Sequence, residues 1–503
     1  LKSLIAAAAQ DSKEAREAVS MDEQIRDTTL AVLRELGGLT VTDDSIRFVG
    51  DKIVLPEAYE GRVPDAIRFL ERYMEDQEET YNNSHIFKYR PHDGAHAFQA
   101  AMLKHFGTAG MGKATYSFFF GKNPPQMVSV PTGVHTSTQV PWGQVSFPVL
   151  DATFTLSYAT DSELGPLFYL SVVAPKKYRR EIAAFFTLVE EELKINSIYK
   201  GKAITGATEP RFLDLAGVDP KKVVYANEVE VQLNANLWSL LKYPDSMRAA
   251  GLPLKRSVLV TGTYGTGKTL AGYLTAQEAV ANGWTFILCR PGVDDLFDVL
   301  KTAELYTPAV VWFEDIDVLA KGGTDEEISE LLDALDGMQS KGVEVVAGFT
   351  TNHVEQIQRG VLRPGRIDAI VHIGELDAEG YEKLVNNLIP KQHLGEIDYD
   401  QLVEAFHGYV PAFVTEAITG AMRYMIARTG GVLDVIATED IVHAADALRP
   451  QFEKMQTAKE GADTTTLDAG LRKMLIDVVN HTKLDQNQDG IAVLEHDEDL
   501  ATS

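Results

Sequence analysis

The run Ser257-Val258-Leu259-Val260-Thr261 has the apolar, β-branched character of a buried strand, and it passes directly into Gly262-Thr263-Tyr264-Gly265-Thr266-Gly267-Lys268-Thr269. A helical segment opening Leu270-Ala271-Gly272-Tyr273 follows at once. No other stretch restricts the fold so tightly, because strand, glycine turn and helix in succession set the turn at a sheet edge, with backbone N–H groups converging at a helix N-terminus. The glycines let those N–H groups close around phosphates. Lys268 brings positive charge to the β- and γ-phosphates, and the Thr269 hydroxyl can ligate Mg²⁺, so the expected ligands are ATP and Mg²⁺. A chance match in a glycine turn is the competing reading, and the strand before and helix after weigh against it.

Ala309-Val310-Val311-Trp312-Phe313 reads as a second buried strand, ending in Glu314-Asp315-Ile316-Asp317. Acids at such a strand end suit a nucleotide site, one for the magnesium shell and one to orient the attacking water. A helix cap with incidental acids is the bland alternative. The third strand, Val343 to Phe349, ends in Thr350-Thr351-Asn352, and Arg363-Pro364-Gly365-Arg366 follows, which alone would be an ordinary turn with solvated charges. Short apolar strands alternate with helical segments from about 220 to 373, the texture of a parallel sheet with crossover helices. Helical spacing then dominates from Ala378 to Arg449.

Taken with Tyr243-Pro244-Asp245 through Gly251, Leu332-Asp333-Ala334-Leu335-Asp336-Gly337-Met338 and Leu362-Arg363-Pro364-Gly365-Arg366-Ile367-Asp368, these motifs resemble the AAA clade of the AAA+ ATPases over about residues 220 to 450. The resemblance implies an α/β P-loop domain, an αβα parallel sheet with a small helical lid, and a homo-oligomeric ring, usually hexameric, with nucleotide at subunit boundaries. It assigns nucleotide contacts to Gly262 through Leu270 and to Pro411 and Ala412 in the lid. Asn352 becomes the residue that positions the lytic water, and Arg363 and Arg366 become fingers reaching the neighbouring subunit's site. Charge of that kind on a transferring phosphoryl group is worth about 10³–10⁵ in rate in related NTPases.

Four departures qualify the match. The family writes the second acidic element as Asp then Glu, whereas Glu314 precedes Asp315 here, so the water-orienting carboxylate is one methylene shorter. A misplacement of about 1 Å costs on the order of 10²-fold, so slow hydrolysis, or a base supplied by Asp317, stays open. Threading members carry an aromatic, an aliphatic and a glycine in a pore loop, but the segment Arg290-Pro291-Gly292-Val293-Asp294-Asp295 is short and lacks that triplet. Phe297 nearby is expected to pack a helix. Thr263-Tyr264 replace the usual Pro-Pro, and Pro411 stands where a glycine is usual.

Outside the ATPase segment the expected divisions are a helical and mixed region at 1–110, a β-rich module at 111–205, the large ATPase domain at 206–375, the lid at 376–450, and a C-terminal helix with a disordered acidic tail at 451–503. The β-rich reading rests on aromatic and β-branched runs such as Tyr116-Ser117-Phe118-Phe119-Phe120 and Leu167 to Val173. A β-hairpin is expected at 45–55 and helices at 1–37, 64–77 and 177–195. His92 and His96 have metal-helix spacing, but without a glutamate after the first they read as surface or fold-stabilising. Asp485 to Gly490 copies half a calcium loop, and His496 where a Glu is needed argues against a site. Lys176-Lys177-Tyr178-Arg179-Arg180 reads as a solvated helix start.

A balance of 47 basic to 73 acidic residues, −26 overall, has the wrong sign for holding nucleic acid along the surface. The lone cysteine, Cys289, excludes an intrachain disulfide and fits a reducing compartment, so the chain is expected in the cytoplasm. No apolar run approaches the ~20 residues of a membrane helix, and Leu4 to Ala9 is too short for a signal core. The chain opens on Leu1, so its natural start is expected upstream. The leading expectation is an ATP-driven ring that remodels or assembles a protein client through its N-terminal region. A slow-turnover, nucleotide-gated scaffold is the alternative, with a nucleic-acid motor a distant third.

Overall fold

The structure, a computed structural model, describes residues 47–49, 52–54, 79–106, 115–117, 121–123, 126–147, 150–318, 325–340, 342–357, 363 and 365–463. The helices expected at 1–37 and 64–77 and the tail from 485 lie outside these residues. The chain divides into two compact units, residues 1–374 and 375–503.

In the first unit, β1 (Arg47–Val49) and β2 (Lys52–Val54) pair antiparallel as the hairpin the alternation predicts. Then come β3 (Thr80–Phe87), the helix Pro91–Phe106, a small hairpin of β4 (Thr115–Ser117) and β5 (Gly121–Asn123), β6 (Gln126–Pro131), β7 (Ser137–Phe147), β8 (Ala152–Asp161), β9 (Gly165–Pro175) and the helix Arg179–Asn196. Five of these strands form one antiparallel sheet in the order β3-β9-β8-β7-β6. Alternation along β8, buried at Ala152, Phe154 and Leu156, turns one face toward the two helices. Phe98 and Phe185 from those helices meet Phe154 with ring centroids 5.5 and 5.1 Å apart, so the module's dense aromatic cluster is its core.

This arrangement corrects the boundary expected at 110/111. Because β3 pairs with β9 along its whole length, and the helix Pro91–Phe106 packs on the same sheet, the module begins near residue 79. Gly94 explains the tight packing, since a Cβ there would lie 1.9 Å from Phe168 Cγ.

The ATPase sheet has seven strands in the order β11-β10-β13-β14-β15-β12-β16, formed by β10 (Ala203–Thr205), β11 (Arg211–Phe212), β12 (Arg256–Thr261), β13 (Thr285–Cys289), β14 (Ala309–Phe313), β15 (Val345–Thr351) and β16 (Ala369–His372). All neighbours are parallel except β10 and β11. Strands β12, β13 and β14 are buried almost throughout, as expected of a sheet covered on both faces by crossover helices. Because β10 joins this sheet, the ATPase domain starts a few residues before the expected 206.

The second unit is helical, with Ala378–Leu388, Tyr399–Ala405, Pro411–Thr429 and Thr438–Asp463. Asp377 and Asp398 cap the first two by accepting backbone N–H groups, and Gly430, at φ 75°, ends the third. The last helix runs through residue 450, so the division expected there falls inside one element. No helix among the described residues is long and apolar enough to cross a membrane.

Candidate functional site

Strand β12 ends at Thr261, and the chain turns at once through Gly262 to Gly267 into the helix Lys268–Ala281. At Gly262 a side chain is forbidden, because a Cβ would sit 2.3 Å from the Ile373 carbonyl oxygen. Gly267, at φ 100°, supplies the left-handed turn that starts the helix. Within the loop, the Thr266 hydroxyl donates to the Thr263 carbonyl at 2.9 Å. The buried Lys268 curls its Nζ onto the Gly262 and Thr263 carbonyls, both at 2.9 Å. Thus Gly262, Thr263, Tyr264, Gly265, Thr266, Gly267, Lys268, Thr269 and Leu270 form one continuous cradle at a helix N-terminus, where backbone dipoles favour an anion.

Because β14 is parallel to its neighbours, Glu314 and Asp315 emerge at the same sheet edge as the loop. The Thr269 side chain lies close enough to the Glu314 carboxylate to favour its charged form. Burial raises the Glu314 pKa, with Asp315's charge adding to it, and Thr269 and Arg290 oppose the shift. The Glu314 Oε1 atom is buried without a hydrogen-bond partner, as is Asn352 Oδ1. A hydroxyl beside an unsatisfied carboxylate oxygen is the donor set of a hard divalent cation, so Thr269 and Glu314 fit Mg²⁺.

Asp315 is exposed and has φ 51°, a left-handed conformation unusual for a non-glycine residue. Its N–H donates to Thr350 Oγ1 at 2.8 Å, and its Oδ1 accepts the Asn352 side-chain amide at 2.9 Å. Asp317, two residues on, is buried and accepts from the Thr351 hydroxyl at 3.0 Å and the Asn352 N–H at 3.3 Å. The two acids therefore differ in kind, one facing the site and one bracing the end of β15.

Arg363 is exposed, and Arg366 donates to Asp333 at 2.7 Å, on the helix Asp325–Ser340. Pro411 and Ala412 open the helix Pro411–Thr429 in the second unit, Pro411 occupying a first-turn position where its missing N–H costs nothing. Phe297 was expected to pack a helix, but it is exposed, as is Val293 in the preceding turn. Asp294 accepts the Arg290 N–H and Asp295 caps the helix Leu296–Leu305, so both acids of this short segment have local structural work.

Sequence patterns missed Tyr225, which is buried and donates its hydroxyl to the Gly267 carbonyl at 2.9 Å. Nothing marks it in the sequence, since it precedes Gly267 by 42 positions in an irregular segment. Thr350 was visible only as part of a polar strand end. Around His92 and His96, as elsewhere among the described residues, no three metal-ligating side chains cluster. His96 is lowered in pKa mainly by burial, and His92 lies 6.4 Å from the Trp142 ring.

The family model for the ATPase family associated with various cellular activities (AAA) matches residues 258–375. An ATP-dependent zinc metalloprotease YME1 homolog from Schistosoma mansoni is 29% identical over 230 residues, 42% of this chain and 33% of the relative. An ATP-dependent zinc metalloprotease FtsH from Mycoplasma mobile is 26% identical over 362 residues, 64% of this chain and 48% of the relative. A cell division cycle protein 48 homolog from Archaeoglobus fulgidus is 26% identical over 255 residues, 48% of this chain and 34% of that protein. The chain thus spans between a third and a half of the length of these relatives.

Proposed function

Because this chain belongs to the AAA+ ATPases, we propose that it hydrolyses ATP in a homo-oligomeric, hexameric ring and uses the cycle to remodel or assemble a protein client through its N-terminal module. Backbone N–H groups of residues 262–269 and Lys268 hold the phosphates. Thr269 and Glu314 hold Mg²⁺, which when bound neutralises charge on the phosphates. Asp315 and Asn352, joined by their hydrogen bond, orient the attacking water from the exposed side of the site. Pro411 and Ala412 contact the adenine side, and Arg363 and Arg366 act as fingers in the neighbouring subunit's site. The lone, buried Cys289 fits a cytoplasmic setting.

The observation that carries the client reading is a buried joint between the module and the ATPase domain. Arg90 N donates to the Tyr306 hydroxyl at 3.0 Å, its Nη1 to the Leu164 and Pro166 carbonyls at 2.9 and 3.1 Å, and its Nη2 to Thr302 Oγ1 at 2.5 Å. Asp93 accepts from Ser197 Oγ at 2.6 Å and from the Ile198 N–H at 2.9 Å. Thr302 lies on the helix Leu296–Leu305 and Tyr306 just after it, behind the Arg290 to Asp295 turn. A single apolar core runs through this joint, from Phe98 and Phe185 to Tyr306, Val311 and Phe349. A core packed to that density transmits displacement instead of absorbing it, so motion of the ATPase domain moves the module.

Threading is the second reading, favoured by the exposed Val293 and Phe297. The two separate in an ATP-dependent unfolding assay on a fluorescent client. Replacing Val293 and Phe297 with Ala should leave remodelling within about two-fold of the parent, whereas Arg90→Ala with Thr302→Val should reduce it strongly while nucleotide binding persists. The opposite pattern would overturn delivery through the module and favour a central pore.

A further inference from the structure

We propose that the N-terminal module recognises an extended, basic-ended polypeptide segment by adding it as a strand to the open edge of β8, a deepening of the client reading above. The sheet contains a split. Strand β7 pairs with β8 only from Phe147↔Ala152 to Gly143↔Leu156, whereas β8 goes on pairing with β9 as far as Asp161↔Gly165. Beyond Leu156, β8 from Ser157 to Asp161 therefore has a ladder on one side only among the described residues. The cause is local: Gly143, at φ 75°, bends β7 away, and the first half of β7 pairs with β6 instead.

A cavity of about 540 Å³ opens at this split. Trp142 lies on the departing strand, Tyr158 and Thr160 share one face of the open edge, and His92 and Glu209 complete the walls. Tyr158 is 60% exposed, unusual for so large a ring in a packed module. An unpaired strand edge beside aromatic pockets is the arrangement that captures an extended peptide, backbone hydrogen bonds giving affinity and alternate side chains filling the pockets. Five open residues offer about 17 Å of edge at 3.4 Å per residue, enough for a short strand. Charge narrows the partner further. Arg90 in the lining is buried with its Nη groups turned onto carbonyls and Thr302, whereas Glu209 is exposed on the wall, where a lysine or arginine of the partner can reach it.

The test uses the full chain and a fluorescein-labelled peptide of alternating valine and threonine with a lysine at each end, followed by fluorescence anisotropy. Saturable binding is expected, weakened at least ten-fold by Tyr158→Ala and by Trp142→Ala, with folding checked by circular dichroism. On the unaltered chain, the same peptide with alternate amides N-methylated should also bind at least ten-fold more weakly, because its side chains persist while its ladder is lost. Equal binding of the two peptides, indifference to both substitutions, or no binding at all would each overturn strand addition. If the cleft fails while a client is still remodelled, only this inference falls. If the peptide binds at the cleft and no client is remodelled, the inference stands and the proposed function falls.

Discussion

The Asn352 side-chain amide donates to Asp315 Oδ1 at 2.9 Å, tying the end of β15 to the acid that leaves β14. The same asparagine's backbone N–H is held by buried Asp317 at 3.3 Å, so one residue is fixed by two acids with different tasks. Asp315→Asn is expected to lower ATP turnover by about 10²-fold or more while ATP still binds. Asp317→Asn should instead lower the midpoint of urea unfolding, by about 1–3 kcal/mol in stability, since it disturbs a buried acceptor. Steady-state kinetics beside denaturation of both variants checks this, and a larger kinetic loss in the Asp317 variant would make that residue the base.

Lys268 is the side-chain cation in a loop otherwise built from backbone dipoles, and its present carbonyl partners are weak competitors for a phosphate. Lys268→Ala should abolish measurable ATP binding in calorimetry. Unchanged affinity would remove the phosphate loop from the nucleotide site.

If sites are completed across subunit boundaries, ATPase rate per subunit should rise with protein concentration as rings form. Mixing Lys268→Ala chains with Arg363→Ala chains should recover part of the activity that each lacks alone, because some boundaries pair an intact loop with an intact arginine. A monomer fully active in sedimentation and kinetic measurements would contradict the shared site.

Gly94 lies in the first turn of the helix Pro91–Phe106, where alanine would ordinarily stabilise by up to about 1 kcal/mol. A Cβ there meets the Phe168 ring at 1.9 to 2.5 Å, and overpacking of a filled core costs about 1–3 kcal/mol. Gly94→Ala should therefore lower the thermal midpoint, against the helix-propensity trend. A raised midpoint would show that the helix and β9 separate readily.

Asp93 is fully buried, and burial pushes its carboxyl up from 3.8 to about 6 despite hydrogen bonds from Ser197 and Ile198 that oppose the shift. A raised acid pKa means that the folded state binds the proton more tightly than the unfolded chain, so this group's contribution to stability falls as pH rises from about 4 to about 6 and stays low above it. Asp93→Asn should flatten the pH dependence of the unfolding midpoint across that window. An unchanged slope would exclude Asp93 as its source.

The phosphate loop, the acidic strand end and the polar end of β15 were legible in the sequence because each is local: a few consecutive residues whose apolar run, glycines or acids state their own geometry. The parallel sheet was legible for the same reason, since both-face burial makes each strand an apolar run. Tertiary structure alone set Asp315 and Asp317 apart, since within one short acidic run Asp315 is exposed and accepts the Asn352 side-chain amide while Asp317 is buried against Thr351. It also drew β3 and the helix Pro91–Phe106 into the β-rich module, a pairing of residues 80–87 with 168–175 that no local pattern encodes. The same holds for Tyr225 against Gly267, for the joint of Arg90 with Thr302 and Tyr306, and for the split at Gly143. Each depends on side chains and strands far apart in the chain meeting in a packed interior, and periodicity carries information only about neighbours.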